Sequence, residues 1–413
     1  MSIPRPGESD LIPIPLSPSK PGYVCDGLET RARDELYINI QPIQAAGHLT
    51  ADAMKAMISY GDGYSVCDFC LKPFRLDKIK KPSLEEFHVD LAKFVGMDVA
   101  RTVPGARRGF QAVVSSLVGK GDSVILQAVG HYTEFLAIEQ VGGIAHEAAF
   151  NDRGIVTGEA VAQAIENAKK KDGKLPKLVI FDHYDYTLAN EHDILGAVKA
   201  AKEYDIPVLY NGAYTVGVKP VDGKALGVDY VVGSGHKSMA SPAPSGVLAT
   251  TNEAAEKVFR TTKISGDVSG RKFGVKEVEM LGCTLMGANI VAMMASLPHL
   301  KERVKCWDAE VKNSNYFVKE FLRVDGNKIV SECPRKHCLT KVDCTESYDK
   351  IAQKHKDHGY FFTHELDSRG ITGIFPGSSR SFKMSTYGLT DSQVRYLAES
   401  FLDIAKKHGL EVH

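Results

Sequence analysis

The chain has 413 residues, 43% of them hydrophobic, enough to bury one large core and a smaller second one. Lys+Arg and Asp+Glu balance at 51 each, so global charge predicts no nucleic-acid partner, although a local basic face on a neutral protein still binds phosphates. No apolar run approaches the ~20 residues of a membrane helix, the N-terminal stretch has no signal-peptide core, and eight cysteines in a chain this long read as reduced thiols. A cytoplasmic protein with no membrane association is the expectation.

The first 23 residues or so, with six prolines by position 21, lack helical or strand periodicity. They are predicted to form an extended arm on the surface or on a partner subunit. Val66-Cys67-Asp68-Phe69-Cys70 comes next. A CxxC pair serves as a redox dithiol, as half of a metal site, or as two unrelated thiols. No second CxxC completes a zinc site, and Cys333, Cys338 and Cys344 are irregularly spaced and read as structural. The basic run Lys72, Arg75, Lys78, Lys80 and Lys81 is either a solvated face or an RNA-binding one. Ser83-Leu-Glu-Glu86 is a capping box for a helix with Leu84, Phe87, Leu91 and Phe94 on one side. Pro104-Gly-Ala-Arg-Arg-Gly109 feeds a helix over 110–118. Free N–H groups and a positive dipole end at its start suit an anion, and Arg107 and Arg108 add charge.

Short apolar runs at Asp122–Leu126, Leu178–Phe181 and Pro207–Tyr210, with a helical stretch over Ile194–Tyr204, predict a mostly parallel sheet covered by helices. In such sheets ligands collect beyond the strand C-termini. Arg107, His131-Tyr132, Asp182-His183, Asn211 and Lys237 all follow strand-like or turn segments. Lys237 stands in Tyr230-Val-Val-Gly-Ser-Gly-His-Lys-Ser-Met-Ala240, a strand running into a small-residue turn. A lysine amine held at an apolar strand end is a nucleophile suited to a Schiff base, most often with pyridoxal phosphate (PLP). Ser234 and His236 would donate to that cofactor's phosphate. Asn211 stands 26 residues before Lys237, one strand–helix–strand step away. Many PLP enzymes have an Asp there to keep the pyridine nitrogen protonated; an Asn predicts a milder electron sink, suited to β-elimination.

Further on, Gly287–Leu297 is predicted as a helix broken by Pro298, with an amphipathic continuation over His299–Leu322. Phe375 to Gly388 is polar and basic around Arg380 and Lys383, and Thr390 with Gln393 caps a last helix. The domains are predicted as an arm and lead-in over 1–60, a large cofactor domain over 61–297, and a long helix with a small domain over 298–413.

Together these motifs resemble the O-phosphoseryl-tRNA:cysteinyl-tRNA synthase family, PLP enzymes of fold type I. The resemblance is carried by Cys67 and Cys70, Gly105-Ala-Arg107, His131-Tyr132, Asn211-Gly-Ala-Tyr214, Ser234-Gly-His-Lys-Ser-Met239, Leu281-Gly-Cys283 and Phe382-Lys-Met-Ser-Thr-Tyr-Gly388, in family order over about 60–410. It implies an α/β fold with a large, mostly parallel sheet domain and a smaller C-terminal α+β domain. It further implies that Lys237 carries PLP, that Ala106, Arg107, Ser234, Gly235 and His236 hold its phosphate, that Asn211 contacts the ring and that His131 stacks on it. Arg107, Tyr132 and Arg380 would then be substrate contacts. Cys67, Cys70 and Cys283 would handle sulfur, as a persulfide or as ligands of an iron–sulfur cluster, across a homodimer interface. Asp185-Tyr-Thr-Leu-Ala-Asn190 departs from the family's shorter D-x-x-Y-G-N.

The implied substrate is O-phosphoseryl-tRNA(Cys), supplied by a phosphoseryl-tRNA synthetase. Lys237 would remove the Cα proton, phosphate would leave Cβ, and a sulfur nucleophile would add there to give cysteinyl-tRNA(Cys). The alternatives are a cysteine desulfurase or cysteine lyase of the same fold and, from another class, a non-catalytic tRNA-binding scaffold.

Overall fold

Seven strands build the main sheet of the larger of two compact units, which comprises Ala46–Tyr186 and Glu191–Lys305. The computed structural model describes residues 38–60, 79, 81–281 and 285–413, with the backbone of the short strands Tyr23–Cys25, Leu28–Glu29 and Ser65–Val66. Most of the Pro-rich arm, most of the basic run after Cys70, and Cys67, Cys70 and Cys283 lie outside the described residues.

The strands are β1 (Val99–Val103), β2 (Ser123–Gln127), β3 (Ile144–Ala148), β4 (Leu178–Asp182), β5 (Val208–Asn211), β6 (Tyr230–Ser234) and β7 (Gly246–Thr250). Their order is β1-β7-β6-β5-β4-β2-β3; β7 runs antiparallel to both its neighbours and the remaining pairs are parallel. Val124-Ile-Leu126, Leu178–Phe181 and Val208–Tyr210 are almost wholly buried. Strands apolar on both faces are stable only with helices on both sides, which is why they read as continuous runs and not as alternation. The helices are α1 (Ala51–Ser59), α2 (Leu84–Phe94), α3 (Ala106–Leu117), α4 (Tyr132–Gln140), α5 (Gly158–Asp172), α6 (Ile194–Lys202) and α7 (Gly287–Arg303). The capping box forms in full: Glu86 N–H donates to Ser83 Oγ at 3.1 Å and Ser83 N–H to Glu86 Oε2 at 2.7 Å.

Pro298 does not break its helix: α7 runs through it to Arg303. The turn beyond the proline is anchored by Leu300, fully buried, and by His299–Asp52 and Lys301–Asp90 ion pairs at 2.8 and 2.5 Å, which offset the missing backbone bond. The large unit accordingly continues past the expected 297/298 boundary.

The smaller unit comprises Cys306–His413, the stretch up to Ala45 and the four residues Thr187–Asn190. Its antiparallel sheet is β8 (Lys328–Ile329), β9 (Leu339–Asp343) and β10 (Ser381–Ser385), with helices α8 (Trp307–Phe321) and α9 (Asp391–Lys407). Phe317, Phe321, Tyr348, Phe362 and Phe401 form its aromatic core, and the buried Tyr348 hydroxyl donates to Phe401 O at 2.7 Å. The strap 187–190 is bound into this unit by backbone and side chain: Ser331 Oγ donates to Leu188 O at 2.5 Å, Glu332 N–H to Asn190 Oδ1 at 2.7 Å, and the buried Arg335 Nη2 to Ala189 O at 2.5 Å. Asn190 thus has a structural partner in the small unit. No helix among the described residues is long and apolar enough to cross a membrane.

Candidate active site

Strand register gathers the polar residues at one edge of the large sheet. Asp182 pairs with Asn211, and Asn211 with Val232, across β4, β5 and β6. Ser234 pairs with Gly246, and Gly246 with Val103, across β6, β7 and β1. The C-termini of the parallel strands therefore share one edge with the start of α3, where open α/β sheets bind ligands.

That edge holds an anion cradle. Gly105 precedes α3 with φ 91°, a left-handed conformation natural to glycine, and no side chain caps the helix. The N–H groups of Ala106 and Arg107 have no acceptor among the described residues. Across from them, Ser234 opens the single helical turn Gly235–Ser238, and a Cβ on Gly235 would collide with the Ser245 hydroxyl. Gly246 is equally constrained, since a Cβ there would lie 3.1 Å from Ala106 N. Ser234 Oγ, Ser245 Oγ and His236 Nδ1 are buried and have no partner among the described residues. Burial, with Lys237 next in weight, lowers the His236 pKa. Orphaned buried donors around a bare helix start are what a bound phosphate would satisfy.

Lys237 stands in the same turn. Its Nζ lies 3.5 Å from Tyr214 Oη and 4.6 Å from the centre of that ring, and burial raises the Tyr214 phenol. Behind the turn, Arg303 at the end of α7 donates to Gly217 O, Ala46 O and Ser238 O at 2.7, 3.0 and 2.5 Å. His131 is the N-cap of α4; its Nδ1 accepts the Thr133 N–H at 3.3 Å, and its ring lies 4.5 Å from Tyr132 and 4.8 Å from Tyr186. Arg107 Nη2 donates to Tyr132 Oη at 3.2 Å, which joins two of the candidate substrate contacts.

Asn211 is buried at the end of β5 with company that the sequence did not announce. Its Nδ2 donates to Glu134 Oε1 at 2.7 Å and to Asp182 Oδ1 at 2.5 Å. Burial, then the Asp182 charge, holds Glu134 well above the usual carboxylate range, and burial raises Asp182 to about 6. The signal for Glu134 was its helical phase: it shares a face with the buried Ala137 and Ile138, where an acid is out of place.

Arg380 belongs to the other unit, exposed, with its carbonyl accepting from Cys344 N–H at 2.7 Å. Cys338 and Cys344, in that same unit, are buried thiols whose pKa values burial raises, as befits packed residues. Val66, adjacent to Cys67, pairs antiparallel with Leu285, two residues past Cys283. The flanks of the CxxC and of Cys283 are hydrogen-bonded neighbours within one chain.

The aminotransferase class-V family matches residues 77–355. Fold and family make this chain a PLP-dependent enzyme of that class, and the cradle and Lys237 turn fit the cofactor's phosphate and aldehyde. The O-phospho-L-seryl-tRNA:Cys-tRNA synthase 1 of Methanococcoides burtonii is 62% identical over 395 residues, covering 96% of this chain and 86% of its own. The corresponding synthase of Methanoculleus marisnigri is 58% identical, covering 93% and 98%. A crystal structure of a SepCysS–SepCysE N-terminal domain complex matches with TM-score 0.83 and 40% identity over 92% of this chain and 97% of that one. The chain belongs to the O-phospho-L-seryl-tRNA:Cys-tRNA synthase family. The cysteine desulfurase CsdA of Escherichia coli, at 14% identity and TM-score 0.68 over 91% and 96%, shares the fold.

Proposed function

We propose that this chain converts O-phosphoseryl-tRNA(Cys) to cysteinyl-tRNA(Cys) by loss of phosphate and addition of sulfur. PLP bound at Lys237 supplies the electron sink for the Cα–H bond. Ala106, Arg107, Ser234, Gly235 and His236 hold the cofactor's phosphate; His131 and Asn211 orient its ring. Once the amino group of the substrate has displaced it from the cofactor, the free Lys237 Nζ takes the Cα proton, the C–H pair becomes a Cα=Cβ bond, and the Cβ–O pair departs with phosphate. A sulfur nucleophile then forms the Cβ–S bond, and Lys237 Nζ returns the proton to Cα. Where the sulfur arrives as a persulfide, a second thiol of the chain cleaves the S–S bond and a disulfide remains. Arg107, Tyr132 and Arg380 bind the phosphoseryl end of the substrate.

The observation that supports the sulfur half is the Val66–Leu285 pairing, which sets the flanks of Cys67 and Cys283 together in one chain. The three cysteines are accordingly read as one group of a single subunit, as persulfide carriers or as cluster ligands, and not as a composite across subunits. The enzyme is read as a homodimer in the cytoplasm that takes its substrate from a phosphoseryl-tRNA synthetase. The test is transfer itself: purified protein, PLP, phosphoseryl-tRNA(Cys) and sulfide should yield cysteinyl-tRNA(Cys). Free cysteine should yield no alanine. Alanine formation without any tRNA-dependent product would replace this reading with a desulfurase.

A further inference from the structure

The Asn211 carboxamide is committed at both ends. A primary amide nitrogen carries two hydrogens, and here one goes to Glu134 Oε1 at 2.7 Å and the other to Asp182 Oδ1 at 2.5 Å. Asn211 Oδ1 accepts the Ala213 N–H at 3.0 Å. Turning the amide over would set its oxygen against two carboxyl groups and its NH2 against a backbone N–H, so chemistry fixes the orientation. The capacity that remains is one lone pair on Oδ1. Asn211 can accept one more hydrogen bond and can donate none.

The two acids are 1% and 2% exposed, and two carboxylates converging on one buried nitrogen do not both ionise. Glu134 Oε2 has no partner among the described residues, which further disfavours its charged form. His192 and Asp185, themselves 3.2 Å apart and fully buried, and Tyr214 are the other titratable groups acting on Asp182 or lying near it. Glu134 therefore keeps a proton and Asp182 carries the charge.

We propose that Glu134 is a positioning residue for the cofactor: together with Asp182 it locks the Asn211 carboxamide as a pure acceptor, so that the site selects PLP with a protonated ring nitrogen. A neutral pyridine nitrogen needs a donor, and Asn211 has none to give. The shared negative charge on the two acids favours the pyridinium further. A protonated ring withdraws electrons strongly, which reverses the milder sink expected from an asparagine considered alone. The proposal rests on the reading that Asn211 faces the cofactor ring, and it does not depend on which substrate the enzyme takes.

The measurement is the ¹⁵N chemical shift of the ring nitrogen of ¹⁵N-labelled PLP bound to the full chain without tRNA, between pH 6.5 and 8.5. Wild type should show the protonated nitrogen throughout. Glu134→Gln, the neutral isostere of the protonated acid, should keep that signal. Glu134→Leu frees one Nδ2 hydrogen, so the amide can donate, and the signal should move to that of neutral pyridine. A neutral nitrogen in wild type, its loss in Glu134→Gln, or an unchanged protonated signal in Glu134→Leu would each overturn the proposal. Should Glu134→Leu fail to fold, the wild-type and Gln signals still decide it. Because no tRNA enters, failure here leaves the substrate reading standing, and a failed transfer assay leaves this one standing.

Discussion

Arg303 Nη2 donates to the carbonyl of Ser238 at 2.5 Å, one residue past Lys237, from the opposite end of a helix that begins just after Cys283. The same guanidinium holds Gly217 O and Ala46 O, and Gly47 abuts the His236 carbonyl so closely that a Cβ there would collide with it. The lysine turn is buttressed from behind by a fork that only arginine supplies. Arg303→Met should destabilise the protein by roughly 2–4 kcal/mol, because it takes the side-chain donor from the Gly217 and Ser238 carbonyls, and it should shed PLP on dialysis. Arg303→Lys should recover part of each effect. Urea unfolding and the cofactor content after dialysis check both; full PLP retention in the Met variant would show that the turn holds itself.

Lys237→Ala should leave no borohydride-fixable PLP and no turnover, with the fold intact by circular dichroism. The cradle of Ser234, His236 and Ser245 remains in that variant, so reversible PLP binding should persist at lower affinity. A residual covalent adduct would mean another lysine is the carrier.

The raised Asp182 makes stability depend on pH. Its folded value of about 6 lies above the ordinary carboxylate value, so its stabilising contribution is complete at low pH and is lost as pH rises through about 6. Asp182→Asn removes that loss. In urea unfolding of the apoprotein, the variant should gain on wild type by about 1–2 kcal/mol between pH 5 and pH 8. A constant difference would place the Asp182 titration elsewhere.

Asn211→Asp would set a third carboxyl between Glu134 and Asp182, replacing the one group that donates to both. An unpaired buried charge costs roughly 3–5 kcal/mol. The variant should therefore be markedly less stable at pH 8 and less so at pH 5, where protonation relieves it. Equal stability at both pH values would mean that the three side chains do not meet.

Replacing Cys67, Cys70 or Cys283 singly with Ser should leave phosphate release from phosphoseryl-tRNA(Cys) largely intact and block cysteinyl-tRNA formation, because elimination requires Lys237 and only sulfur addition requires the thiols. Radiolabelled phosphate release and acid-gel separation of the tRNA products read the two halves separately. Full transfer in all three variants would reduce the CxxC to a structural pair.

Strands β2, β4, β5 and β6 were legible because they are apolar runs that end in a polar residue at the sheet edge, Gln127, Asp182, Asn211 and Ser234; β1 and β3, which carry Arg101 and His146-Glu147 among their apolar residues, were not. The motif around Lys237 was legible because an apolar strand runs straight into the small-residue turn that presents it. The carboxyl pair was not, since Glu134, Asp182 and Asn211 lie 48 and 29 residues apart in sequence and meet only once strand order is known. Helix α7 was misjudged at Pro298 because the ion pairs that carry it onward come from Asp52 and Asp90, more than two hundred residues earlier.

The strap 187–190 leaves the large unit's sequence, hydrogen-bonds to Ser331, Glu332 and Arg335, and returns. The small unit is therefore not a detachable tail: a chain ended at Lys305 would strand the carbonyls of Leu188 and Ala189 without their donors. Tyr186, whose ring meets His131 at 4.8 Å, is the residue just ahead of the strap. Shortening the C-terminus would thus loosen a loop at the cofactor side, and a minimal catalytic fragment has to be designed by re-closing that loop as well as by choosing where to stop.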